Sequence, residues 1–275
     1  MIYPLCYPEL QITAPLFAPL LEHNLVLRSI LAGHTPAVIY TDDPYRPSTA
    51  FTWFKYRAFL AGHPQSPTFS EELGSLLNSQ LIPTAQRAGI DACILDFGEL
   101  GWANRLSQIF SGWQPIQAQR QFFACHTLPS IPAPGLPPGF TLLPVNAALL
   151  ARDDLQHMAA LRDETCSERL SVEDFLSHSF GYCITFQDEL VCWCLSEYNT
   201  SGRCDVGIAT IEPYQRRGLA AFITRALLEH AFRLGYTQVG WHCWARNIPS
   251  SALARKAGFI LEIEHTVHIY TFREH

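Results

Sequence analysis

The run Pro129-Ser130-Ile131-Pro132-Ala133-Pro134-Gly135-Leu136-Pro137-Pro138-Gly139 constrains this chain more than any other stretch. Each proline lacks a backbone donor and fixes φ, so neither a helix interior nor a central strand can pass through it. The run reads as an extended linker near the middle of the 275 residues. A chain of this length is comfortable as two domains. The expected division is a first domain at 1–130, a linker at 131–139 and a second domain at 140–275.

Composition narrows the class. Apolar residues make up 48% of the chain and charged ones 16%, which is the balance of a packed globular protein. The formal net charge of −6 argues against nucleic acid as a partner. The start, Met1-Ile2-Tyr3-Pro4-Leu5-Cys6, lacks the features of a secretory signal, and no segment is apolar for long enough to span a bilayer. The expectation is a cytoplasmic protein that does not engage a membrane. Nine cysteines, an odd number without a C-x-x-C pair, fit that compartment. Cys192 and Cys194 alternate on a predicted strand and read as core thiols, and no metal is expected.

The second half has clear local patterns. Strands are predicted at Phe140–Val145, Cys204–Ile211, Gln238–Trp244 and Glu262–Phe272, with a hairpin from Gly181–Phe186 to Glu189–Glu197. A turn is expected at Asn199-Thr200-Ser201-Gly202. Helices are predicted at Ala147–Leu161, Ser171–His178, Arg217–Leu234 and Pro249–Lys256. In the third helix, Leu219, Phe222, Ile223, Ala226, Leu227, Ala231 and Leu234 form one apolar face, and Gly235 ends it.

The first half repeats the end of this pattern at a shift of 146 residues. Ala85–Ile90 falls on Ala231–Tyr236, Ala92–Leu95 on Gln238–Trp241, Ser111–Trp113 on Ala257–Phe259, and Gln121–Phe123 on Val267–Ile269. Identities are few, but the order of elements and glycines indicates an old duplication. The first half has Phe69-Ser70-Glu71-Glu72-Leu73-Gly74 where the second has Gln215-Arg216-Arg217-Gly218-Leu219-Ala220.

That second six-residue stretch carries the chemistry. It lies between a strand and the start of an amphipathic helix. A helix N-terminus presents unpaired amides and partial positive charge, which suits a pyrophosphate. Gly218 permits close backbone approach, Ala220 is small, and Arg216 and Arg217 add charge.

The order strand, Gln-x-x-Gly-x-Ala, long helix, Gly235, strand, Asn247, short helix and Gly258-Phe259 resembles the GNAT acetyltransferase superfamily. The likeness runs from about residue 140 to 272. The stretch Trp241–Phe259 looks like the subgroup with an extra N-terminal half that includes zwittermicin-resistance acetyltransferases. The resemblance implies an α/β (α+β) fold, with a mixed, mostly antiparallel sheet flanked by helices and a degenerate copy of it at the N-terminus. It implies acetyl-coenzyme A as cosubstrate. The backbone of Ile208, Ala209 and Thr210 would pair with the pantetheine arm. The amides of Arg216, Arg217, Gly218, Leu219, Ala220 and Ala221 would hold the pyrophosphate, and Asn247 would reach the pantetheine.

The resemblance also places a general base on the strand before that asparagine, at His242. Asp205 and Glu197 flank the same strands and are the other candidates, acting through water. The family's usual acid is a tyrosine four residues before the Gly-Phe pair; here that position is Ala254. Cys243, Ser250, Ser251 or a water are the substitutes, or the thiolate leaves unassisted. The expected reaction is direct acetyl transfer to a primary amine of a small molecule. The alternatives are a non-catalytic acyl-CoA sensor and an enzyme acting on a protein amine. The oligomeric state is not legible.

Overall fold

The computed structural model describes residues 1–64, 67–98, 100–130 and 135–272. Residues 131–134 of the expected linker lie outside these. The chain divides into two compact units. One comprises Met1–Arg120 with His265–His275, and the other comprises Gln121–Glu264.

Unit 1 contains strands β1 (Tyr3–Leu5), β2 (Ile39–Thr41), β3 (Thr49–Phe54), β4 (Arg57–Gly62) and β5 (Ala92–Phe97). Its helices are α1 (Ala14–Leu21), α2 (Leu25–Leu31), α3 (Pro67–Leu76), α4 (Ile82–Arg87) and α5 (Leu106–Ile109). Strand β6 (Ile116–Cys125) leads into unit 2, which contains β7 (Phe140–Pro144), β8 (Gly181–Phe186), β9 (Glu189–Thr200), β10 (Arg203–Thr210) and β11 (Gln238–Trp244). Its helices are α6 (Ala147–Leu150), α7 (Met158–Thr165), α8 (Val172–His178), α9 (Leu219–Arg233) and α10 (Ile248–Lys256). Strand β12 (Ile260–Thr271) returns the chain to unit 1.

The two units share one topology. In unit 1, β1, β2, β3 and β4 pair antiparallel in order, and β4 pairs parallel with β5. In unit 2, β7, β8, β9 and β10 pair antiparallel in order, and β10 pairs parallel with β11. A parallel step needs a crossover, and the helical segments before β5 and β11 supply it. The shift of 146 residues holds at the backbone. Lys55 and Ser201 both sit in hairpin turns with φ of 48°. Gly89 and Gly235 have φ of 77° and 86°, and Gly112 and Gly258 have 87° and 94°.

The last strand of each unit comes from the other half of the sequence. His268–Thr271 of β12 pair with β5, and β6 lies next to β11 in the sheet. The compact units therefore differ from 1–130 and 140–275. A continuous apolar run such as Phe122–Cys125, buried throughout, suits the interior of any sheet, so the sequence pattern does not say which sheet it joins.

Two local expectations need correction. The single helix over 147–161 is two, α6 and α7. Between them Gln156 bridges to Glu189 and His157 takes φ of 66°. Arg162 holds the break by donating to the carbonyls of Leu150 and Arg152. The turn expected over 199–202 is tighter, because β9 runs on to Thr200 and only Ser201 and Gly202 turn, with φ of 48° and 72°. Two left-handed residues match the twist of a two-residue hairpin.

Helix α9 anchors unit 2. Leu219, Ile223, Leu227 and Ala231 are buried with Cys194, Cys204, Val206, Val239 and Trp241. Each large side chain so buried contributes about 1.5–3 kcal/mol. Leu234, expected on the same face, is the C-cap and is exposed. Cys192 and Cys194 are fully buried core thiols, and burial pushes the Cys192 thiol up to about 12. Among the described residues no helix is long and apolar enough to cross a membrane.

Candidate active site

The site of unit 2 begins where β10 leaves β11. Their pairing covers Arg203↔Gln238 to Asp205↔Gly240 and stops, while β10 stays paired to β9 as far as Thr210↔Cys192. One backbone edge of 206–210 is thereby exposed to the gap between the strands. An extended ligand can add to such an edge as a strand would.

The N-terminus of α9 faces the same gap. Its cap is Gly218, with φ of 83° and no side-chain cap. The first intrahelical bond runs from the Phe222 amide to the Gly218 carbonyl. The amides of Leu219, Ala220 and Ala221 are thus helix-start donors without an intrahelical partner, and no acid sits in the first turn to compete with an anion. Arg216 just before it has φ of 60°. Across the gap, the Asn247 side chain caps α10 by accepting from the Ser250 amide at 3.2 Å.

These elements enclose a cavity of about 500 Å³. Of the residues expected to bind the cofactor, Ile208, Ala209, Thr210, Arg216, Gly218, Leu219, Ala220, Ala221 and Asn247 line it. Arg217 does not. Its guanidinium donates to the Pro213 carbonyl at 3.1 Å and lies over the Tyr214 ring. The other wall is made by Ser250, weighed above as an acid, and by Trp241, Pro249, Ala252, Leu253 and Lys256, which sequence reading missed as cavity residues. Pro249, Ala252, Leu253 and Lys256 recur at spacings of three and four, the signature of one helix face. Applied to α10, that spacing finds Lys256, a second cation in the cavity.

The candidate proton-transfer groups lie on the opposite side of the strands from the α9 core. His242 Nε2 is 3.6 Å from Asp205 Oδ2, and their side chains are 12% and 8% exposed. The Phe122 ring packs on the imidazole at 4.8 Å between centroids. The approach depends on Gly240, where any Cβ would sit 2.0 Å from Asp205 Oδ1. Gly207 plays the same part for Glu197, whose Oε1 would be 1.9 Å from a Cβ there. Glu164 Oε1 would lie 3.4 Å from the same point, and burial raises its carboxyl above the usual range. Residues two apart on a strand share a face, so Asp205 and Gly207 look the same way. The structure thus gathers His242, Asp205, Glu197 and Glu164 around the splayed strands.

The candidate acids separate by position. Ala254 is fully buried in the core. Ser251 donates to Gln121 Oε1 at 2.8 Å, and Cys243 lies beside it. Neither lines the cavity. Ser250 does, and it accepts from the Trp241 indole N–H at 3.0 Å.

Unit 1 lacks the equivalent of the phosphate turn. Positions 69–74 lie inside α3, with Phe69 and Ser70 buried. Gly74 packs closely on α5, where a Cβ would be 2.9 Å from the Gln108 carbonyl oxygen. The amides that are uncapped at 219–221 correspond to mid-helix positions here.

Comparisons with known proteins bear on the fold and the family. Residues 14–268 match the family model described as GNAT acetyltransferase. A relative from Bacillus subtilis, named as an uncharacterised N-acetyltransferase, YdfB, is 24% identical over 242 residues, covering 87% of this chain and 88% of its own. A GCN5-related N-acetyltransferase-like protein from Streptococcus suis superposes with a TM-score of 0.67 at 18% identity, over 95% of this chain and 98% of that one. A tandem GNAT protein from the clavulanic acid biosynthesis pathway has a TM-score of 0.60 at 12% identity, covering the whole of both chains. The chain belongs to the GNAT acetyltransferase family, and its chemistry is acyl transfer.

Proposed function

We propose that the protein moves an acetyl group from acetyl-coenzyme A directly to a primary amine of a small molecule in the cytoplasm. The observation that carries this reading is the cavity of unit 2, in which a splayed strand edge meets an uncapped helix N-terminus. Those two features fit the two halves of the cosubstrate. The edge at Ile208–Thr210 offers backbone groups in the alternation an extended pantetheine amide chain needs. The amides of Leu219, Ala220 and Ala221, with Arg216 and Lys256 nearby, offer donors and charge to a pyrophosphate. When bound, acetyl-coenzyme A supplies an activated thioester carbonyl. His242, oriented by Asp205, takes the proton of the incoming amine. Ser250, which lines the cavity, would hydrogen-bond the departing thiolate. Free thiols throughout the described residues suit a reducing compartment.

Thiol release from acetyl-coenzyme A against a panel of small amines tests the proposal. Amine-dependent release above the hydrolysis background supports it. Release only with peptide N-termini or protein lysines would move the acceptor to the protein class. Calorimetry on the full chain should show one coenzyme A per chain, because unit 1 has helix interior where unit 2 has its turn. Two equivalents of similar affinity would contradict that account of unit 1.

A further inference from the structure

Unit 1 holds a polar cluster that acyl transfer does not use. His23, in the turn between α1 and α2, meets Asp96 of β5 and His265 of β12. One ligand-capable atom from each lies within 4.8 Å of the other two. His23 Nε2 is 3.5 Å from Asp96 Oδ2, and His265 Nε2 is 3.2 Å from the same oxygen. The two imidazole rings lie 4.4 Å apart between centroids, tilted by 57°. The side chains are 8%, 7% and 14% exposed for His23, Asp96 and His265.

We propose that His23, Asp96 and His265 bind a divalent transition-metal ion, with Zn²⁺ the ion the set suits best. Two imidazoles and one carboxylate are borderline ligands of the kind zinc takes, at bonds near 2.0–2.2 Å. A tetrahedral shell with such bonds separates neighbouring ligand atoms by about 3.3 Å. The two nitrogen–oxygen separations, 3.5 and 3.2 Å, bracket that spacing.

Two further observations separate this site from an ordinary buried ion pair. First, Nδ1 of both rings is buried without a hydrogen-bond partner, while each Nε2 stands against Asp96 Oδ2, at 3.5 and 3.2 Å. Buried imidazole nitrogens normally find a donor or acceptor, and leaving them short of one is costly. A metal ion satisfies one nitrogen of each ring outright. Second, the carboxylate has an outer support of the kind ligating groups have. The Asn24 amide donates to Asp96 Oδ2 at 3.0 Å and to the Leu20 carbonyl at 3.1 Å, and Arg57 donates to Asn24 Oδ1 at 3.1 Å.

The location is informative. Under the shift of 146 residues, Asp96 stands in unit 1 where His242 stands in unit 2. The duplicated fold has a polar position on the strand that follows the crossover helix. Unit 2 uses it beside an acyl cavity, whereas unit 1, without the phosphate turn, surrounds it with two histidines. The ligands come from the start, middle and end of unit 1. An ion there ties β12 to β5 and to the α1–α2 turn, so its role is to staple the unit.

The test uses the full-length chain with no histidine tag, stripped with chelator and titrated with Zn²⁺ or Co²⁺ alone. The expected result is one ion per chain by elemental analysis and calorimetry. The Co²⁺ form should show visible d–d bands without a near-ultraviolet sulfur band, and saturating Zn²⁺ should raise Tm by about 5 °C or more. His265→Gln, His23→Gln and Asp96→Asn should each weaken Zn²⁺ binding by about 100-fold or more, with the Co²⁺ spectrum of the wild-type chain standing whether or not a variant folds. No binding at micromolar Zn²⁺ overturns the proposal. A sulfur-to-cobalt band does so too, because it assigns the ion to cysteines, as does affinity unchanged in all three variants.

Discussion

Replacing His242 with glutamine should lower kcat by about 10²- to 10⁴-fold, the range over which a positioned general base acts. Glutamine keeps much of the size and hydrogen-bonding capacity of imidazole but cannot accept a proton near neutrality. The packing against Phe122 and the approach to Asp205 are therefore largely preserved, and the loss reports chemistry. Affinity for acetyl-coenzyme A should stay within a few-fold, because His242 does not line the cavity at the α9 N-terminus. The pH profile sharpens the test. A base works in its neutral form, so the wild-type rate should climb with pH through the imidazole ionisation and then level off. In the variant that limb should disappear from kcat. Stopped assays across pH, paired with calorimetry, measure both. A variant with wild-type kcat and the same profile would return His242 to a packing role and direct attention to Glu197, Asp205 or Glu164, which the strands gather nearby.

What the sequence disclosed depended on whether the cause was local. Gly218 is visible because a left-handed residue before an amphipathic helix has few alternatives to glycine. The α9 face is visible because four buried positions recur at the helical period. The shift between halves is visible at Gly89, Gly112, Gly235 and Gly258 because each ends a helical segment with positive φ. Features set by distant partners are not visible. The break between α6 and α7 depends on Arg162 reaching back to two carbonyls, while the residues themselves carry an ordinary helical pattern. The exchange of β6 and β12 between units leaves no local mark, since an apolar strand reads the same in either sheet. His23, Asp96 and His265 are invisible as a set because no motif spacing links residues so far apart. Arg217 is the opposite case: its charge suggested a role that its contacts with Pro213 and Tyr214 redirect.

Gly218→Glu should weaken acetyl-coenzyme A binding by tenfold or more, at least about 1.4 kcal/mol. Two effects combine, and they can be separated. The first is backbone strain. At φ of 83° an L-residue pays about 1–2 kcal/mol, which appears as lost stability. The second acts only on the ligand. Nothing lies within 4 Å of a Cβ built at this position, and Gly218 lines the cavity, so there is open space for the new side chain at its edge. There it brings negative charge to the place where α9 presents the uncapped amides of Leu219, Ala220 and Ala221. A carboxylate suits those amides, so it occupies the anion site itself and repels a pyrophosphate approaching it. Gly218→Ala isolates the first effect, since it carries the strain without the charge. It should lose similar stability to urea yet bind acetyl-coenzyme A more tightly than the glutamate variant. Raising salt should recover part of the glutamate defect and little of the alanine one, because only the former is a charge repulsion in an open cavity. A folded Gly218→Glu protein with unchanged affinity by calorimetry would take the α9 N-terminus out of the cofactor site.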